Sequence, residues 1–242
     1  MAQPALLEIC VDTLHGAQAA IRGGAARVEL CSSLYEGGLT PSAGLMRAAA
    51  RLPVPCYAMI RPRAGLFHFA PEDEAIMRDD IATARDAGLA GVVLGAQGPD
   101  GALDSAMLQR LSAAAGPLGR TLHRVIDVVP DPLAALDQAI ALGFERVLTS
   151  GAEPEAPQGV ALIAQMVKRA SRRLSVMPGC GLTAQNVAHV LAATGAAEAH
   201  AACARPAPGD PAFSDFDPPG GRMETSEQDV RAMVTAIANA TP

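Results

Sequence analysis

Tryptophan is absent from this 242-residue chain, only two tyrosines and five phenylalanines occur, and aromatic residues make up 3% of it. A core built from this sequence must therefore be aliphatic and rich in alanine. Lysine occurs once, at Lys168, and no basic block stands out against a net charge of −6, so nucleic acid is not an expected partner. Nor is there an apolar stretch approaching the ~18 residues that span a bilayer. The amino terminus has no basic segment followed by an apolar one, so no secretory leader is expected. The five cysteines (Cys10, Cys31, Cys56, Cys180 and Cys203) form no C-x-x-C pair, which fits a reducing cytoplasm better than a disulfide framework.

Half of the chain is hydrophobic, enough for one large core. Eight short apolar runs each end in polar residues and are each followed by a helical stretch. They are Leu6–Val11, Arg27–Cys31, Cys56–Arg61, Gly91–Gly95, Thr121–Asp127, Arg146–Ser150, Leu174–Pro178 and Glu198–Cys203. Strand-then-helix repeated eight times in about 250 residues predicts an α/β fold, a single (β/α)8 TIM barrel over 1–242. Helices are expected at Pro71–Ala87, Pro132–Leu142 behind an Asp131 cap, Thr183–Thr194 and Ser226–Ala238. Gly24, Gly88, Gly143 and Gly195 stand where helices should stop. Beyond the last of them, Ala204–Met223 holds five prolines and three glycines, which predicts a long loop after the eighth strand, a lid or interface arm.

A barrel of this kind places its site at the carboxyl ends of the strands. Glu8, Glu29, Arg61, His123, Asp127 and His200 fall there and are the candidate catalytic residues. Strand parity points Glu8 and Cys10 inward together, as it does Glu29 and Cys31, and Arg61 is the expected partner of the two carboxylates. On the fifth run, His123 and Asp127 share a face, so the carboxylate is expected to orient the imidazole. Arg61 and Arg124 are the candidates for holding an anionic group. Thr149 and Ser150 offer hydroxyls, and Gly179 and Gly181 lead toward a helix in a way that can cradle an anion. No lysine lies at a strand end, which argues against Schiff-base chemistry. Cys10 and Cys31, at matching places on neighbouring strands, are candidate thiolate ligands for Cu(I), with Met59 within reach. Glu8, His123, Asp127 and His200 form an alternative set for a divalent ion.

Several longer strings are more specific. Leu7–Cys10 (Leu-Glu-Ile-Cys), Val28–Cys31 (Val-Glu-Leu-Cys), Glu36–Ser42, Met59–Arg63, His123-Arg124 with Asp127, Leu148–Gly151, Met177–Gly181 and His200 together resemble the CutC copper-homeostasis family, essentially from end to end. The resemblance implies a cytoplasmic TIM-barrel oligomer, a dimer here, linked to copper tolerance and copper binding, with no organic cofactor and no assigned reaction. The chain departs from the family pattern at Ala64 and Leu66, at Cys180 where glycine is usual, and at Ala202 where serine is usual. Two function classes follow. One is a copper-binding homeostasis protein. The other is a barrel enzyme using acid–base chemistry on a small polar or phosphorylated metabolite, linked to copper only indirectly.

Overall fold

In the computed structural model, which describes residues 5–209, 212, 215 and 217–240, the eight runs become eight parallel strands. These are β1 (Leu6–Val11), β2 (Arg27–Leu30), β3 (Cys56–Met59), β4 (Gly91–Leu94), β5 (Gly119–Leu122), β6 (Arg146–Thr149), β7 (Ser175–Pro178) and β8 (Glu198–Ala201). Hydrogen bonding runs in the order β7-β6-β5-β4-β3-β2-β1-β8, and β7 lies beside β8 across the remaining seam. The result is a nearly closed (β/α)8 barrel. Its outer ring is α1 (Leu14–Gly23), α2 (Ala43–Ala49), α3 (Pro71–Ala87), α4 (Ser105–Ala115), α5 (Pro132–Ala141), α6 (Val160–Ala170), α7 (Val187–Thr194) and α8 (Glu227–Ala240).

Local chemistry sets these boundaries. Asp131 accepts from the amides of Leu133 and Ala134 and starts α5, and Asp73 reaches back to the Ala70 amide at 3.1 Å at the head of α3. Gly24, Gly88 and Gly195 take the left-handed conformation that ends α1, α3 and α7, and Gly143 does so two residues past the end of α5. The apolar core is the shell between sheet and helices, where Ile9, Leu30, Ile60, Ile81, Leu94, Leu108, Leu122 and Leu136 are fully buried. A second buried apolar cluster, of Cys31, Tyr57, Met59 and Val93, stands apart from that shell. Tyr57 fits there because β4 and β5 open with glycine: a Cβ at Gly91 would lie 2.2 Å from the tyrosine ring, and one at Gly119 would lie 2.4 Å from its hydroxyl.

Three sequence expectations change. β5 ends at Leu122, and Arg124–Asp127 is a 3₁₀ turn whose Val125 and Ile126 bury into the shell. β-Branched residues made that turn read as strand. The helix expected from Thr183 begins at Val187; Asn186 ties down the turn before it by accepting from the Thr183 amide and donating to the Gly181 carbonyl. The segment after β8 is not wholly loop. Its ends, β9 (Ala204–Pro206) and β10 (Met223–Thr225), pair antiparallel into a hairpin, and Arg205 bonds Asp229 of α8 through Nε and one terminal nitrogen. Part of the tip, 210, 211, 213, 214 and 216, lies outside the described residues.

Candidate functional site

The barrel's stagger decides which side chains meet. Strands of a closed barrel are offset along their neighbours, so residues at matching places in sequence do not face one another. Glu8 on β1 stands opposite Arg27 on β2 and His200 on β8, and Cys10 stands opposite Glu29. Cys31 lies beyond them, its amide bonded to the Val11 carbonyl at 2.8 Å. Cys10 and Cys31 are therefore not level, as parity without stagger suggested.

At the amino-terminal end of the strands a charged network fills the interior. Arg27 donates to both Glu8 and Glu198, and Arg146 donates to the same Glu198 oxygen at 2.7 Å, to Thr121 at 3.1 Å and to Glu145 at 3.0 Å. Tyr57 donates to Glu145 at 2.5 Å, with both guanidinium groups over its ring. Sequence reading singled out none of Arg27, Arg146, Glu198 or Tyr57. The available signal was a charge opening three strands while β4 and β5 open with glycine.

Above this network lies a chain of acid–base groups. His200 Nδ1 is 2.8 Å from Glu8 Oε1, and Nε2 is 3.7 Å from Glu29 Oε2. Burial works to raise the Glu8 pKa, but the bond from His200 and the charge of Arg27 outweigh it and hold the carboxyl at about 2. Burial dominates at Glu29 and, with repulsion from Glu8, pushes it up to about 7. One of its oxygens, Oε1, has no hydrogen-bond partner among the described residues. Burial works to strip the His200 proton, yet Cys10 and the two glutamates hold the pKa well above 6.5. Ligand atoms of Cys10, Glu29 and His200 lie within 4.8 Å of one another, a sulfur, oxygen and nitrogen set able to receive a metal ion. Cys31 adjoins it, its thiol 3.6 Å from Glu29 Oε2, and burial with the Glu29 charge raises that thiol well above the ordinary value.

The remaining candidates divide into two groups. Arg61, expected beside Glu8 and Glu29, turns instead to the carbonyls of Glu36, Gly38 and Gly65 at 2.8, 3.1 and 3.0 Å, because the loops after β2 and β3 place those oxygens around its fork. His123 is not oriented by Asp127. Its Nδ1 accepts from the Val125 amide at 3.1 Å, and burial followed by the Arg61 charge lowers its pKa to about 3. Asp127 is bonded elsewhere, to the Thr149 hydroxyl at 2.5 Å, the Ser150 and Ala152 amides, and Arg124 at 2.9 Å. Arg124 also donates to Ser150 Oγ and to Cys180 Sγ, both at 2.8 Å, so it does not converge with Arg61 on an anion.

Gly179 and Gly181 serve close packing. A Cβ on Gly179 would lie 2.6 Å from Leu148 Cδ1, and one on Gly181 would lie 2.6 Å from the Glu155 carboxyl carbon. That glutamate over the loop opposes an anion there.

The CutC family pattern matches residues 5–205, which include every barrel strand. A CutC family protein from Sinorhizobium medicae is 53% identical over 203 residues, covering 84% of this chain and 83% of that protein. One from Caulobacter vibrioides is 48% identical over 237 residues, 96% of both. A solved structure from Streptococcus agalactiae, bearing the name copper homeostasis protein CutC, superposes with a TM-score of 0.79 at 31% identity over 82% of this chain and 98% of that one. Thiamine phosphate pyrophosphorylase from Pyrococcus furiosus (TM-score 0.62, 14% identity, 98% of each chain) shares the fold alone. Because the family pattern runs through every strand that contributes to the mouth, and relatives match nearly the whole length, this chain belongs to the CutC family.

Proposed function

We propose that this protein binds Cu(I) and serves copper homeostasis in the cytoplasm, with copper as its cargo. The observation that carries the reading is the convergence of Cys10, His200 and Glu29 around one point. Thiolate and imidazole suit Cu(I), and the carboxylate completes the set. The second nitrogen of His200 is tied to Glu8, itself fixed by Arg27, which is the support that orients metal-binding histidines. Cys31, next to Glu29, is the reserve thiolate. Binding must displace the protons held on His200 and on the thiol, so affinity should rise with pH. The S. agalactiae relative's name supports the same role.

The test is an anaerobic Cu(I) competition titration against a chromophoric chelator, run on wild type and on Cys10→Ser, Cys31→Ser and His200→Gln. One tightly held ion, lost in Cys10→Ser and His200→Gln, is expected. Wild-type binding no stronger than that of exposed thiols, or unchanged in Cys10→Ser, would refute the site.

The unpartnered Glu29 oxygen favours a second reading, an acid–base enzyme acting on a small polar metabolite with Glu29 and His200 exchanging the proton. A metabolite screen in which turnover disappears in Glu29→Gln but survives copper chelation would select it. Self-association as a homodimer also belongs to the proposal. Tyr35, Leu66, Val128 and Met223, exposed on segments that follow barrel strands at the mouth, supply apolar surface for it. A monomer by light scattering at micromolar concentration would remove it.

A further inference from the structure

Two buried N–H donors at the mouth, on Arg61 and His123, lack acceptors among the described residues, and Phe67 packs against both side chains. Arg61 is 6% exposed and His123 is 3% exposed. Each has one polar atom without a partner among the described residues, Arg61 Nε and His123 Nε2. The tautomer of His123 follows from its other nitrogen: the Val125 amide donates to Nδ1, so Nδ1 is an acceptor and the proton of the neutral ring sits on Nε2. Arg61 is close enough for its charge to act on the His123 ring. Phe67 joins them, with its centroid 4.6 Å from that of His123 and 5.2 Å from the Arg61 guanidinium carbon.

Arg61 also differs from the other buried arginines in charge compensation. Arg27 and Arg146 pair with carboxylates, whereas Arg61 bonds only to three carbonyl oxygens. A buried guanidinium that no carboxylate bonds, although the charge of nearby Glu36 acts on it, is costly, and an N–H left without an acceptor adds to the cost. A ligand that brings one negative charge and acceptor oxygens answers both.

We infer that Arg61 Nε and His123 Nε2, walled by Phe67, form a subsite for the carboxylate group of a small organic acid. Two donors beside a flat aromatic wall suit a planar singly charged group. A phosphate carries more charge and more oxygens than two donors satisfy. The subsite requires neither the copper reading nor the enzymatic one, since Arg61 and His123 belong to neither ligand set.

The experiment is nitrogen-15 NMR of the histidine ring signals of wild-type protein, titrated with formate and with acetate, and with phosphate and chloride at matched ionic strength. His123 is assigned by loss of its signal in His123→Gln. Formate and acetate should shift the His123 Nε2–H resonance in a saturable way, while phosphate and chloride leave it in place. Arg61→Lys should weaken acetate about tenfold, the loss of one charge-assisted bond. A His123 ring unmoved by either carboxylate, or moved as far by phosphate, overturns the assignment. So does unchanged acetate affinity in Arg61→Lys. Should Arg61→Lys fail to fold, the wild-type titration still decides.

Discussion

At the amino-terminal end of the barrel, Arg27 and Arg146 converge on the Glu198 carboxylate, whereas at the mouth Arg61 meets backbone carbonyls and keeps one N–H without an acceptor. The glutamates repeat the contrast. Glu8 gives one oxygen to Arg27 and the other to His200, and Glu29 leaves Oε1 unbonded. Both pairs are buried in one barrel interior, so burial does not separate them; completeness of partnership does. Buried charge with every partner supplied fixes strand register and closes the barrel floor. Buried charge with a partner missing is held at a cost, and that is where the protein has reactivity or affinity to offer. The split follows the general division of labour between the two faces of a (β/α)8 barrel.

The largest expected effect tests the floor. Arg27→Met leaves Glu8 and Glu198 each short of a charged partner inside the barrel and should cost about 3–5 kcal/mol of unfolding free energy. Arg61→Met removes a charge that no carboxylate bonds, along with its carbonyl bonds, and should cost about 1–2 kcal/mol. Urea titrations of both variants settle the comparison, and equal losses would erase the distinction between floor and mouth.

Next in size is a reversal of sign between two identical substitutions. The Glu8 pKa is lowered from 4.5 to about 2, so its contribution is complete above pH 4.5 and disappears as pH falls toward 2. Glu8→Gln should therefore lose about 3 kcal/mol at neutral pH. The Glu29 pKa is raised from 4.5 to about 7, so the native state gains from the bound proton below pH 4.5 and loses that gain as pH rises through 7. Glu29→Gln should therefore exceed wild type in stability above pH 7, by up to about 3 kcal/mol. Unfolding midpoints from pH 4 to 8 read both signs, and destabilisation in both variants would contradict the assignment.

The sequence carried the barrel because each strand is announced locally, by an apolar run, a capping residue such as Asp131 or a terminating glycine such as Gly88. It marked Glu8, Glu29 and His200 as candidates, which the barrel brings together, because a charged or ionisable residue inside an apolar run is conspicuous. Partnership was not legible, because it depends on stagger, a property of the closed barrel rather than of any strand. Strand parity without the stagger matches Glu8 with Arg61 rather than Arg27, and Cys10 with Cys31 rather than Glu29. His123 and Asp127 part for a different reason: Val125 and Ile126 bury as strand residues would, but in a 3₁₀ turn that sends Asp127 toward β6.

Asp127 supplies the smallest and most discriminating test, because it sits at the mouth yet is fully partnered. Its two oxygens receive Thr149, Ser150, Ala152 and Arg124, which fastens the loop after β6 to the turn after β5. If position in the barrel decided role, Asp127→Asn would change ligand binding. If partnership decides it, the substitution costs about 2 kcal/mol of stability through weakened charge-assisted bonds. Cu(I) affinity and the response of His123 to acetate then remain at wild-type values. Denaturant unfolding run beside the two titrations separates these outcomes. Loss of copper affinity in a folded Asp127→Asn protein would show that the mouth acts as one unit, with the Asp127 loop coupled to Cys10 and His200 across the barrel.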